Sequence, residues 1–228
     1  MAKKAKSGKK ERTAAERAIR ALKGLPSGFV TDAMLRLGIG GWMAGLHPAN
    51  GKAVVGVART LRYAPRGGGG GPSDRNIYEV MAACGPGEIL VIETGGTDCY
   101  VSGENMASHA QACGLAATVV DACVRDFREI AGLKMPVYCR GASIRPNQLE
   151  VVGYDVEVCC AGANVKPGDI VVGDGDGIAV IPQARIDDVL YQVEDVAALE
   201  AEQERLITGK RPITELNALL KKKKALRK

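Results

Sequence analysis

Hydrophobic positions along the chain switch between two periods, and the switches mark the elements. KAVVGVARTLRYA (52–64) is β-branched and punctuated by glycine, which predicts one strand or two. Five glycines at 67–71 and Pro72 then predict a mobile loop ahead of a helix over NIYEVMAAC (76–84). Two segments share one design: PGEILVIETGG (86–96) and PGDIVVGDGDG (167–177) each open on a Pro-Gly-acid turn, continue as a short apolar run and leave through glycine-rich sequence. Pro then Gly suits the centre of a type II turn, and each apolar run reads as a buried strand. Between them, GENMASHAQACG (103–114) has helical spacing and closes on Gly114. LAATVVDACV (115–124) is a near-continuous apolar strand, DFREIAGL a short helix and PVYCRG (136–141) a further strand. This β-α-β-α-β series with covered strands predicts an α/β core.

The ends read differently. The first ~25 residues are rich in lysine and alanine and predict a frayed helix or disordered arm. Thr31 before DAMLRLG reads as the N-cap of a short helix running to about Leu37. ARIDDVLYQVEDVAALEAEQERLITG (184–209) reads as one long amphipathic helix stopped by Gly209, followed by a short helix and a lysine run over 210–228. The expected organisation is a basic arm (1–25), an α/β core (26–183), an amphipathic helix suited to a subunit contact (184–209) and a basic tail (210–228).

Charge sharpens that division. The 228 residues carry 31 Lys+Arg and 26 Asp+Glu, a formal charge of +5. Residues 1–23 hold nine basic and two acidic side chains, and 210–228 hold eight and one, so each end carries +7 and the body carries 5 − 14 = −9. Nucleic acid is therefore expected only through the tails. No apolar stretch approaches the ~18–20 residues of a membrane span. The charged N-terminus has no apolar run behind it, so no secretory signal is expected. Seven cysteines without a CxxC read as reduced thiols of a cytoplasmic protein, and Cys159-Cys160 as core thiols. Only His47 and His109 are present, so a zinc site is poorly supported and His109 reads as packing. Any bound metal would need oxygen ligands, which favours magnesium, manganese or calcium. DGDG (174–177) lacks the ligand spacing of a calcium loop, and the glycine run lacks the Lys-Ser/Thr of a phosphate loop.

The informative cluster is Gly103-Glu104 at a helix start and Arg125-Asp126-Phe127-Arg128-Glu129 at a strand exit. Amides opening a helix after glycine form an anion site, and Arg125 can pair with a carboxylate or an enolate oxygen. Asp126, with Glu104 nearby, offers a hard cation carboxylate ligation and contacts through water. Taken alone, the same residues also read as an ordinary surface turn and a carboxylate complementing a helix dipole.

GENMASHAQACGLAATVVDACVRDFREI resembles the RraA-like family, which includes class II 4-hydroxy-4-methyl-2-oxoglutarate/4-carboxy-4-hydroxy-2-oxoadipate aldolases. The family pattern is an acidic residue, twenty residues, Arg-Asp, two residues and an acidic residue, and Glu104, Arg125-Asp126 and Glu129 fit it without a gap. SGFVTDAMLRLG, GVARTL, PGEILVIETGG, PVYCRG and VKPGDIVVGDGDGIAVIP extend the likeness over roughly 26–182. The resemblance implies an α-β-β-α sandwich with a long C-terminal helix, assembled as trimers or hexamers. It also implies a lyase acting on a 2-oxo acid through a pyruvate enolate, by retro-aldol cleavage or by oxaloacetate decarboxylation, with Mg2+ or Mn2+. Asp126 then looks like the direct metal ligand, and Glu104 and Glu129 like carboxylates acting through water. Arg125 looks like the enolate-stabilising catalytic residue. Gly103 and the amides of Glu104, Asn105 and Met106 look like the cradle for the substrate carboxylate. A further Glu would come from a neighbouring subunit's C-terminal helix, where Glu200, Glu202 and Glu204 compete, Glu200 and Glu204 sharing a face.

Departures from the family are Ala122 where glycine is usual, Asn105-Met106 in place of an aliphatic pair, and the Gly67–Gly71 loop. They bear on the substrate more than on the metal. The family also contains a regulator that binds a ribonuclease, so the alternative expectation is a non-catalytic protein acting on RNA decay.

Overall fold

In the computed structural model, which describes residues 13–67 and 73–225, a ten-stranded mixed sheet and a two-stranded hairpin lie between two layers of helices. The sheet order is β1 (Trp42–Met43), β12 (Ile178–Ile181), β11 (Ile170–Gly173), β3 (Val54–Pro65), β4 (Glu88–Ser102), β5 (Ala117–Val124), β6 (Val137–Cys139) and β2 (His47–Pro48). β7 (Gly141–Ala142) pairs with β5, and β8 (Leu149–Tyr154) with β3. β3, β4, β5 and β6 run parallel, so their carboxyl ends share one edge. β9 (Val158–Cys160) and β10 (Ala163–Val165) form the hairpin.

Alternation along the strands builds three cores. Leu90 and Ile92 of β4 and Val120, Ala122 and Val124 of β5 face α3 (Ile77–Ala83), α4 (Glu104–Ala112) and α5 (Phe127–Ala131). Ile89, Val91 and Val119 point the opposite way, into an inner core shared with Val171, Val180 and the β9–β10 hairpin. Ile170, Val172, Ala179 and Ile181 face α1 (Ala14–Leu22), α2 (Ser27–Arg36) and α6 (Ile186–Thr208). The layers are thus helix, sheet, sheet, helix. Each fully buried Leu or Ile contributes about 2 kcal/mol. α7 (Ile213–Ala225) folds back on α6, where Lys223 pairs with Glu200.

Both Pro-Gly-acid turns form as expected. Gly87 and Gly168 take φ of 82° and 95°, and the backbone N–H groups of Glu88 and Asp169 donate back to the Gly85 and Lys166 carbonyls at 3.2 and 3.1 Å. Several other expectations change.

The long helix begins at Ile186 after a single turn at Gln183–Arg185, and α7 carries the lysine run as helix to Ala225. Over Ala14–Leu22 the arm is a helix with a Thr13/Glu16 capping box, docked through fully buried Ala18 and Leu22. Residues 1–12 and most of the glycine loop, 68–71, lie outside the described residues.

Thr31 is not a cap: α2 starts at Ser27, and the Thr31 hydroxyl donates to the Ser27 carbonyl at 3.1 Å. The helix opens earlier because a distant carboxylate, Asp174, accepts both the Ser27 N–H (2.7 Å) and its hydroxyl (2.8 Å). β4 does not end at its glycines but shifts register around Gly95-Gly96 and continues to Ser102. Of the two adjacent thiols only Cys160 is buried; strand alternation turns Cys159 to solvent.

Candidate active site

The parallel strands deliver the site to their carboxyl edge. β4 ends at Ser102, and Gly103, in extended conformation, opens α4 without any side-chain cap. β5 ends at Val124; the Arg125 N–H then donates to the Ser102 carbonyl at 3.0 Å and locks the two exits together. Asp126 follows in the left-handed region (φ 55°, ψ 41°) and starts α5. That conformation costs a non-glycine residue ~1–2 kcal/mol. It lets the carboxylate turn back, where Oδ2 accepts the Glu104 N–H at 3.2 Å. A Cβ on Gly103 would stand 2.9 Å from Asp126 Oδ2 and 3.1 Å from Arg125 Nε, so only glycine permits this approach.

Arg125 Nε lies 3.6 Å from Asp126 Oδ2, with the two side chains 51% and 44% exposed. On its other side the guanidinium sits 4.8 Å over the Tyr100 ring and Nη1 donates to Tyr100 Oη at 3.3 Å. One open edge therefore collects a carboxylate, a guanidinium and a helix N-terminus.

Gly103, Glu104, Asn105, Met106, Arg125 and Asp126 are brought together, and exposed Glu129 lies on the first turn of α5 beside them. The amide cradle is narrower than expected. The Glu104 N–H is taken by Asp126, which leaves Asn105 and Met106, whose N–H groups have no intrahelical partner. Met106 contributes only backbone, since its side chain is in the core. Ala122 is fully buried in that core as well, so its methyl group is absorbed by packing instead of lining the site. Within one chain, Glu200, Glu202 and Glu204 lie on α6, in the opposite helical layer. Lys223 engages Glu200, Arg205 engages Glu202 (2.7 Å), and Glu204 borders a groove with Phe29 and Ile207.

Two supporting features escaped the sequence reading. Tyr100 lies in 97–102, between the elements read from the sequence and assigned to neither. Asp121 and Arg140 sit inside quoted motifs, but nothing in their spacing shows that they pair. The Asp121 side chain is 4% exposed; it takes Arg140 Nε at 2.7 Å and the Ala161 N–H at 3.1 Å. A buried carboxylate needs such partners, and this one fastens β5, the end of β6 and the β9–β10 hairpin beneath the site.

Among the described residues, no three His, Cys, Asp or Glu side chains converge to hold an ion unaided. Mg2+ and Mn2+ are hard ions, and Mg2+ is commonly held by one or two carboxylates with water and substrate oxygens completing the shell. The exposed Asp126 carboxylate fits a site of that kind, with water and substrate oxygens completing the shell.

Other candidates are structural. All seven thiols are free, and burial pushes Cys84 up to about 11 and raises Cys139 and Cys160, which leaves these three unreactive at neutral pH. His109 packs edge-on against Tyr78, with Nε2 3.2 Å from the Tyr78 carbonyl. A cleft of about 750 Å³ lies elsewhere, between Trp42, Lys166 and Gln183. No helix among the described residues is long and apolar enough to cross a membrane.

Parallel strands ending in an Arg-Asp pair over an uncapped helix define an α/β protein suited to a small anionic ligand at the strand ends. The chain belongs to the RraA-like family, whose model, described as Aldolase/RraA, matches residues 29–180. A relative from Halalkalibacterium halodurans, named "Putative 4-hydroxy-4-methyl-2-oxoglutarate aldolase", is 30% identical over 188 residues, covering 81% of this chain and 85% of its own. An uncharacterized protein from Pseudomonas syringae pv. tomato superposes with a TM-score of 0.78 at 25% identity, covering 89% of this chain and 98% of its own. Streptomyces coelicolor RraAS2, described as an unusual member of the RNase ES inhibitor RraA protein family, gives 0.72 at 27%, over 86% and 96%.

Proposed function

We propose that the chain is a divalent-metal-dependent lyase that cleaves a carbon–carbon bond of a small 2-oxo acid through a pyruvate enolate. The observation that carries this reading is the meeting of Arg125 and Asp126 over the two unpaired amides of α4. The N–H groups of Asn105 and Met106 receive the substrate carboxylate. Arg125 donates to the 2-oxo oxygen and stabilises the charge that gathers there as the C3–C4 electron pair moves into the enolate. Protonation at C3 then releases pyruvate. Asp126 would hold Mg2+ or Mn2+, and such an ion supplies Lewis-acid polarisation of the 2-oxo group.

Retro-aldol cleavage of a 4-hydroxy-2-oxo acid also requires loss of the C4 hydroxyl proton. Glu104 and Glu129 are the carboxylates available to accept it through water. Oxaloacetate decarboxylation needs no such base, since carbon dioxide leaves directly, so it is the less demanding of the two reactions.

A trimer or hexamer would let α6 of a second copy supply a further carboxylate. Glu200 is occupied by Lys223, which also donates to Gln203 Oε1 at 2.7 Å, and this favours Glu204 over Glu200 for that role. A monomer at low micromolar concentration in sedimentation would count against a shared site.

The direct test is to mix purified protein with oxaloacetate and Mg2+ and follow pyruvate. Metal-dependent release that is lost in Arg125→Ala and Asp126→Ala supports the lyase; no turnover with Mg2+ or Mn2+, on oxaloacetate or on a 4-hydroxy-2-oxo acid, removes it.

A second reading, a regulator of a ribonuclease or of RNA decay, is favoured by the exposed Lys221, Lys222 and Lys224 on α7. It requires salt-sensitive RNA binding that disappears when Lys221, Lys222 and Lys224 are together changed to Glu, with the fold unchanged by circular dichroism.

A further inference from the structure

Arg125 is suspended between two partners. Its Nε is 3.6 Å from Asp126 Oδ2, a long ion pair that does not close into a hydrogen bond. On the other side Tyr100 holds it twice, by the 3.3 Å contact of Nη1 with the phenol oxygen and by the ring face 4.8 Å from the guanidinium carbon. An exposed arginine next to an exposed carboxylate would otherwise close into a direct ion pair. That closure would use up the two groups that a ligand needs.

Tyr100 is itself well fixed. Its N–H donates to the Arg145 carbonyl at 2.9 Å, and its own carbonyl accepts from Asn147 Nδ2 at 2.9 Å. A bridge to Pro146 completes the attachment. The Arg145 side chain is occupied by Asp98 at 3.0 Å, so it does not compete for Asp126. The register shifts of β4 on both sides of Tyr100 are what aim the ring at Arg125.

We infer that Tyr100 is a positioning residue that holds the Arg125 guanidinium away from Asp126 and presents it to the ligand. The catalytic consequence rests on the lyase reading; the positioning itself does not. A flexible arginine that is already ordered loses less freedom when the ligand arrives, and a carboxylate held only in a long ion pair keeps capacity for a ligand.

Two measurements separate these claims. The first is the rate at which phenylglyoxal modifies Arg125, followed by peptide mass spectrometry without substrate, with exposed Arg128 as internal control. Tyr100→Leu should change the Arg125 rate several-fold relative to Arg128, and Tyr100→Phe, which keeps the ring, by less. An unchanged Arg125 rate in Tyr100→Leu overturns the inference whether or not the protein is an enzyme.

The second is oxaloacetate decarboxylation with Mg2+. Tyr100→Leu should lower kcat/KM about tenfold, the scale of one exposed cation–π contact plus one long, weak hydrogen bond. Tyr100→Phe should recover part of the loss, and Tyr100→Leu should add nothing in an Arg125→Ala background. An equal loss in both backgrounds assigns Tyr100 a merely structural role. A wild-type protein without turnover removes the lyase reading and leaves the modification rates to decide the role of Tyr100.

Discussion

Asp174 and Asp126 do the same local job with opposite results. Each follows a strand end, and each accepts a backbone N–H at the start of a distant helix. Asp174 takes the Ser27 N–H, the Ser27 hydroxyl and the Asp176 N–H, at 2.7, 2.8 and 3.0 Å. Partial burial disfavours its charge, but these hydrogen bonds outweigh that and hold its carboxyl below the usual value. Asp126 takes one N–H at 3.2 Å, stands 3.6 Å from an arginine and holds a left-handed backbone. A saturated carboxylate is a structural cap. An unsaturated one in a strained conformation keeps capacity for a ligand.

The largest effect should separate the two functionally. Arg125→Ala or Asp126→Ala should lower oxaloacetate decarboxylation by about 10²–10³-fold, the usual cost of removing a charge-stabilising group. Asp174→Ala should leave the rate per folded molecule unchanged.

Stability should divide in the reverse sense. Asp174→Ala removes the opening contacts of α2 and should cost about 1–2 kcal/mol in urea unfolding. Asp126→Gly loses one hydrogen bond but relieves the left-handed backbone, and should stay within about 0.5 kcal/mol of wild type. A large loss in Asp126→Gly would make Asp126 a structural cap as well.

Gly103→Ala probes the close approach itself. A methyl group 2.9 Å from Asp126 Oδ2 must displace the carboxylate or Arg125, so kcat/KM should fall about tenfold with little change in Tm.

The smallest effect is in acid. Because the folded pKa of Asp174 is depressed, its stabilisation is fully present above the unfolded value, near 3.8, and is lost as pH falls through the lower folded value. Asp174→Asn should therefore flatten that part of the stability–pH curve, measured by circular dichroism across the acid transition.

Much of the molecule was legible before its structure. The Pro-Gly-acid turns, the covered strands 115–124 and 136–141, and the long C-terminal helix all announce themselves within ten or twenty neighbouring residues. Misreadings fell where a distant group decided the matter. Thr31 looks like a cap because the sequence around it cannot show Asp174, 147 residues away from Ser27. The glycines at 95–96 look like a strand end because strand continuation depends on β5 pairing beyond them. The segment 14–22 looks frayed until Ala18 and Leu22 find the α6 layer.

By itself the sequence determined the kinds of element, the basic ends against an acidic body, and the spacing of Glu104, Arg125, Asp126 and Glu129. Those follow from periodicity, turn chemistry and charge, which are properties of the chain read in order. The tertiary structure alone decided that Asp126 takes the Glu104 amide 22 positions away and that Tyr100 holds Arg125 across 25. Local propensity has no information about such pairs; they form only when packing of the parallel strands brings the ends of β4 and β5 to one edge.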